Sequence, residues 1–156
     1  MKTKTIMIGS LLLLMTLFAA SLLVVQTTAT VIVEAKITPL MLSEEDGAPS
    51  EFRVTVKLPK SSDYTPADIK PESVAVEGIP MKTVEDWPKV TKNFFAFKVD
   101  GPSLYNIIWN KVGHVTPGAK TDVEVTVTGE LTDTDFTGTC TITFMTLHPN
   151  PPPPPL

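Results

Sequence analysis

Alternation of apolar and polar residues, repeated in separate segments, constrains the fold of this 156-residue chain more than any other feature. Phe52, Val54, Val56 and Leu58 alternate with Arg53, Thr55 and Lys57. Successive side chains of a strand point to opposite faces, so a period of two predicts a strand with one buried and one wet face. Val123, Val125 and Val127 alternate with Asp122, Glu124, Thr126 and Thr128 in the same way. After a turn at 132–135, Phe136, Cys140, Ile142 and Phe144 predict a returning strand. Thr139, Thr141 and Thr143 fall on its other face, as suits Thr–Thr pairing across a wet sheet. Residues 30–38 repeat the pattern, with Val31, Val33, Ala35 and Ile37 against Glu34, Lys36 and Thr38. Phe95, Phe97 and Val99 mark another strand, and Val74 and Val76 a short one closed by Gly78 and Pro80.

The intervals between these segments carry turn and helix signals. Ser43-Glu44-Glu45-Asp46-Gly47 is a polar loop, and Pro59 ends the strand before it. Residues 60–72 hold Pro66 and Pro71, with Ile69 placed to plug the core edge. Residues 81–92 show no period, and Trp87-Pro88 predicts a packed loop there. Asp100-Gly101-Pro102-Ser103 reads as a helix start, because proline is tolerated in the first turn. Leu104, Ile107, Ile108, Lys111 and Val112 follow at helical spacing, and Gly113 is a natural stop. Six or seven strands with one short crossover helix predict a mainly β chain. The expected architecture is an immunoglobulin-like antiparallel β-sandwich over residues 30–146. The tryptophan and paired cysteines of antibody domains are absent, so the likeness is architectural.

Residues 1–29 are of a different kind. Lys2 and Lys4 precede an uncharged run that includes Leu11 to Leu14, Leu17-Phe18-Ala19-Ala20 and Leu22 to Val25, and the next charge is Glu34. A basic start, an apolar stretch and the small residues Thr27-Thr28-Ala29 read as an export signal cut after Ala29. The apolar run, residues 6–25, also reaches the roughly 17–25 residues that a transmembrane helix needs, so an uncleaved N-terminal anchor is the second reading. Both leave the lysines inside and the body outside. The expected location is therefore secreted or cell surface. At the other end, residues 147–156 are a proline-rich tail with polyproline II character.

Thirteen basic and 17 acidic residues give the whole chain a net charge of −4; without Lys2 and Lys4, 11 basic face 17 acidic, a net charge of −6. An acidic exported domain is a poor match for nucleic acid, which selects basic patches. Cys140 is the one cysteine, so no disulfide closes within the chain. Cys140, Met145, His148 and His114 together make the inventory of a blue-copper site, two histidines with a cysteine and a weak methionine. Their order does not follow the cupredoxins, where the second histidine falls between cysteine and methionine, and a core cysteine with a solvated histidine accounts for them. No metal or cofactor is expected. The acid pairs Glu44-Glu45 and Glu85-Asp86 read as solvated loop charge, and no nucleophile–base motif accompanies them. Trp87, Phe94, Tyr105 and Trp109 are candidates for an aromatic ligand face or, more simply, for core and edge packing.

The order of motifs is similar to that of a family of secreted archaeal β-sandwich modules found on exported surface proteins. The resemblance rests on Leu58-Pro59, Tyr64-Thr65-Pro66-Ala67-Asp68-Ile69, Pro71-Glu72-Ser73-Val74 and Val76-Glu77-Gly78. It continues through Phe95-Ala96-Phe97-Lys98-Val99-Asp100 and Val127-Thr128-Gly129-Glu130-Leu131-Thr132-Asp133 to Phe136-Thr137-Gly138-Thr139 and Ile142. It spans residues 54–144 and implies a module without established catalysis. Members of that family often carry a D-x-D-G-D-G loop suited to calcium. Here Val84-Glu85-Asp86-Trp87-Pro88-Lys89-Val90 stands in its place, without the glycine, so calcium is not carried over.

Two functions follow as expectations. The first is a non-catalytic extracellular or cell-surface module that binds other extracellular proteins, surface polymers or itself. The second is a filament subunit in which residues 30–38 complete a neighbour's sheet by strand addition.

Overall fold

A computed structural model describes residues 30–113 and 118–146. The leader or anchor at 1–29, the tail at 147–156, His114 and His148 lie outside the described residues. Among the described residues, no helix is long and apolar enough to cross a membrane.

Among the described residues the strands are β1 (Val31–Ile32), β2 (Glu34–Thr38), β3 (Met41–Ser43), β4 (Glu51–Lys57), β5 (Ala75–Val76), β6 (Ile79–Pro80), β7 (Lys89–Val90), β8 (Phe95–Asp100), β9 (Lys120–Glu130) and β10 (Asp135–Met145), with one α-helix, α1 (Gly101–Val112). They form two sheets. One has the order β2-β4-β8-β7; the other runs β1-β10-β9-β5-β6, with β3 also on β10. The pairings of β1 and β3 with β10 are parallel, and the remaining ladders are antiparallel. The mainly β, two-sheet expectation with one crossover helix matches this arrangement.

The apolar faces read from the alternation meet between the sheets. Phe52, Val54, Val56, Phe95, Phe97 and Val99 face Val125, Val127, Phe136, Ile142 and Phe144, all essentially without solvent contact. No polar or charged side chain of the described residues is buried there. Ile69 plugs the edge as expected. The helix starts where Asp100 Oδ2 accepts from Ser103 N at 3.1 Å and Ser103 Oγ at 2.7 Å. That carboxyl is held below its usual range by the same two bonds. Leu104 and Ile108 bury the inner stripe, and the Gly113 N–H closes the last turn on Trp109 O.

Residues 30–38 differ from expectation. They form two short strands in different sheets instead of one. Val31 and Ile32 lie beside Phe136 and Thr137, and Val33 N donates to Thr137 O at 2.9 Å. The chain then crosses to the other sheet, where Glu34 to Thr38 pair with Lys57 to Arg53. The period of two survives because Val33, Ala35 and Ile37 point into the core from either sheet. The segment is seated in its own domain and clips the two sheets together along one side.

The sandwich has two distinct ends. β10 starts beside residue 30 and finishes beside the 43–47 loop, whose Glu44 N donates to Met145 O at 3.1 Å. Its eleven residues make those ends about 34 Å apart at the usual rise of a strand.

Candidate functional site: a lysine-lined groove

At the end nearest residue 30, β2 begins, β4 finishes and the chain enters β8. The antiparallel register Val56↔Phe95 sets the last residue of β4 near the loop that precedes β8. Lys57 and Lys92, distant in sequence, are thereby brought to one place. A turn after Pro59, closed by Ser62 N donating to Pro59 O at 3.0 Å, adds Lys60. The result is an open groove of about 800 Å3, lined by these three lysines with Glu34, Ser62 and Asn93, and by Leu58, Pro59, Tyr64, Thr65 and Pro66. That is the size of a typical ligand cleft.

The groove is built on a fixed loop. Thr65 N and Oγ1 both donate to Asp68 Oδ2, at 2.7 and 2.8 Å, and these bonds hold the Asp68 carboxyl below its usual range. Tyr64 Oη donates to Asp133 Oδ1 at 2.5 Å, which ties the groove wall to the β9–β10 turn and pushes the phenol above its ordinary value. Buried Ile69 anchors the far side of the loop. Among the described residues, the ion pairs are Lys36–Glu34, Lys70–Glu130, Lys98–Glu51 and Lys111–Glu77. None involves Lys57, Lys60 or Lys92. Glu34, the acid lining the groove, is already engaged by Lys36 at 3.3 Å. Three lysines therefore line one groove without an ion pair among the described residues, in an acidic chain. Such groups bind anions through charge-assisted hydrogen bonds.

In the sequence these lysines do not stand out. Lys57 reads there as the polar half of an alternation, and Lys92 as a loop residue. One signal does exist: between residues 52 and 62 the chain holds Arg53, Lys57 and Lys60 and no acid.

The sequence-derived candidates fall elsewhere. Cys140 points into the core, its Sγ set 3.7 Å from Val125 O. Burial, then the charge of Glu77, raises its pKa to about 11. Met145 is five positions on along β10 and therefore on the opposite face, roughly 17 Å away at strand rise. The two cannot ligate one ion, and among the described residues no group of three or more His, Cys, Asp or Glu is placed to hold a metal. Both acid pairs are exposed in loops.

The four aromatics do not make one face. Tyr105 and Trp109, one turn apart on α1, stack with ring centroids 6.5 Å apart. Both rings meet Phe144, at 5.8 and 5.3 Å. Trp87 lies instead against the outer side of the other sheet. Arg53 and Lys98 are cross-strand partners there, and with Lys89 their cationic groups sit 5.1, 5.0 and 5.3 Å from the indole centroid. Cation–π attraction thus pins the aperiodic 81–92 segment to the sheet. Phe94 is half-buried in a separate turn, where Thr91 N donates to its carbonyl oxygen at 2.9 Å.

No family model, curated protein or solved structure matches this chain.

Proposed function

We propose that this chain is a non-catalytic interaction module working outside the cytoplasm, with the lysine groove as its contact surface. Three lysines that line one cleft, none of them in an ion pair among the described residues, carry this reading. The basic-then-apolar leader supports export. The strand order supports an immunoglobulin-like assignment: β2-β4-β8-β7 corresponds to strands A-B-E-D, and β5-β9-β10 to C-F-G. The helix then occupies the E–F connection. That assignment agrees with the resemblance to secreted archaeal surface modules.

Loops and groove are better contact surfaces here than strand edges. Of the edge strands, β1, β6 and β7 have two residues each, with Pro80 on β6 and Lys89 on β7, and the longer β2 carries Glu34 and Lys36 on its exposed face, all devices that discourage edge pairing. Strand donation through residues 30–38 gains no support from a segment already paired within its own sheets. Cell fractionation with N-terminal sequencing tests the reading. The expected result is a chain outside the cytoplasm, starting at Thr30 or retained with its leader in the membrane. Recovery from the cytosol with Met1 in place overturns it.

A further inference from the structure

We propose that the proline-rich tail, residues 147–156, folds back onto an aromatic shelf formed by Tyr105, Trp109 and Phe144 of the same molecule. The shelf is separate from the lysine groove and lies at the opposite end of the sandwich. Tyr105 and Trp109 stand one turn apart on α1, their rings 12° from parallel. They flank the buried stripe of Leu104 and Ile108 on the side that meets Phe144. Phe144 is fully buried, yet Trp109 keeps 39 % of its surface exposed. Among the described residues it is the one aromatic side chain left open to this degree. A large apolar ring beside the core, with no apolar neighbour on its outer side, is a natural docking surface.

The tail leaves from the same place. β10 ends at Met145, directly after Phe144, and Thr146 N donates to Ala119 O at 3.2 Å. Residue 147 is therefore three residues of chain from Phe144, at most about 10 Å when extended. The tail holds Leu147, Pro149 and Pro151 to Pro155, and no Asp, Glu, Lys or Arg. Laying it on an apolar surface strips no fixed charge of water. A polyproline II helix rises 3.1 Å per residue, so Pro151 to Pro155 extend over about 16 Å. The ring centroids of Tyr105 and Trp109 are 6.5 Å apart, so one run of prolines covers both. Aromatic surfaces take such helices well, because the conformation is already set and little entropy is lost on docking. The indole N–H of Trp109 adds a donor that a proline carbonyl accepts. A segment tethered this closely acts at about millimolar effective concentration. That advantage favours the chain's own tail over a proline-rich segment of another molecule.

The test reads Trp109 by fluorescence in the full-length chain. Trp87→Phe removes the other indole. In that background Pro151→Ser, Pro152→Ser, Pro153→Ser, Pro154→Ser and Pro155→Ser are combined. The serine tail is expected to move Trp109 emission to longer wavelength and to raise its quenching by acrylamide. Dilution of the chain with its prolines intact is expected to change neither, because the contact is within one molecule. A second measurement watches the tail itself. Trp109→Ala should release it, and the minor cis-proline signals in its NMR spectrum should rise towards the roughly 10–30 % of unfolded peptides. Circular dichroism checks that the strand signal is kept, and the serine variant decides the matter if Trp109→Ala does not fold. Emission and quenching indifferent to the serines overturn the proposal and leave the tail a spacer or a ligand for another protein. Shielding that is lost on dilution also overturns it, assigning the shelf to a neighbour's tail. So does a cis-proline fraction that is the same with and without Trp109 in a folded chain.

Discussion

The β9–β10 hairpin and the segment from Glu77 to Phe94 are held by different physics. Along the hairpin every second residue from Val123 to Gly129 and from Phe136 to Phe144 is buried, and eleven consecutive pairs stay in register. Removing apolar surface from water dominates there, and it needs no particular partner. The 77–94 segment contributes only two-residue strands. Its place is set by a turn at Glu77-Gly78, both with positive φ, and by three cations around Trp87. These are directional contacts near the surface, each worth less than a buried ring. One region is specified by composition, the other by a few exact partners.

The difference is sharpest where the hairpin is damaged. Phe136→Ala empties a fully buried site and is expected to cost about 3–5 kcal/mol, read as a fall in the urea midpoint with an unchanged slope. Gly138→Ala tests the same region from the opposite direction. A Cβ there meets Val33 O and Val33 Cγ2 at 2.7 Å, and the carbonyl oxygen is backbone that cannot swing away. A loss of about 1–3 kcal/mol is expected. A neutral result would mean that the crossing of residues 31–38 between the sheets is looser than the close contact at Gly138 implies.

Legibility followed the same division. β4, β9 and β10 could be read because burial on one face leaves a period of two in the sequence. The helix could be read because Asp100, Pro102 and Gly113 serve its ends directly. The split of residues 30–38 was hidden, since Val33, Ala35 and Ile37 alternate identically whichever sheet they join. β6 and β7 are too short to show a period. The groove was the least legible part. A lysine beside a strand end looks solvated in sequence, and only the β4–β8 register reveals that Lys57 and Lys92 share a site. Trp87 marked 81–92 as packed, but Arg53 and Lys98 are in other strands and nothing local named them.

Trp87→Ala measures what the directional contacts are worth. Cation–π pairs near the surface contribute about 0.5–1 kcal/mol each, and the three share one ring, so a loss well below that of Phe136→Ala is expected. Its signature is local: amides of residues 81–92 should exchange with solvent faster, while those of β9 and β10 keep their protection. Equal acceleration throughout the domain would show that the segment is integral to the cooperative core.

The smallest effect belongs to Glu77, which joins the two regions. Its carboxylate accepts from Thr126 N at 2.6 Å and pairs with Lys111 at 2.8 Å, linking the β5–β6 turn to β9 and α1. Partial burial alone would raise its pKa, yet the bonds from Lys111 and Thr126 outweigh burial and leave it below its ordinary value of 4.5. A carboxyl depressed in the folded state binds its proton more readily when unfolded. Its contribution is therefore complete above the ordinary value and disappears as pH falls through the lower, folded one. Glu77→Gln should cost about 1 kcal/mol or less at neutral pH, the scale of a half-exposed pair. The gap between the two proteins should close below pH 4.5. A gap that stays constant into acid would assign the effect of Glu77 to the shape of its turn and not to its charge.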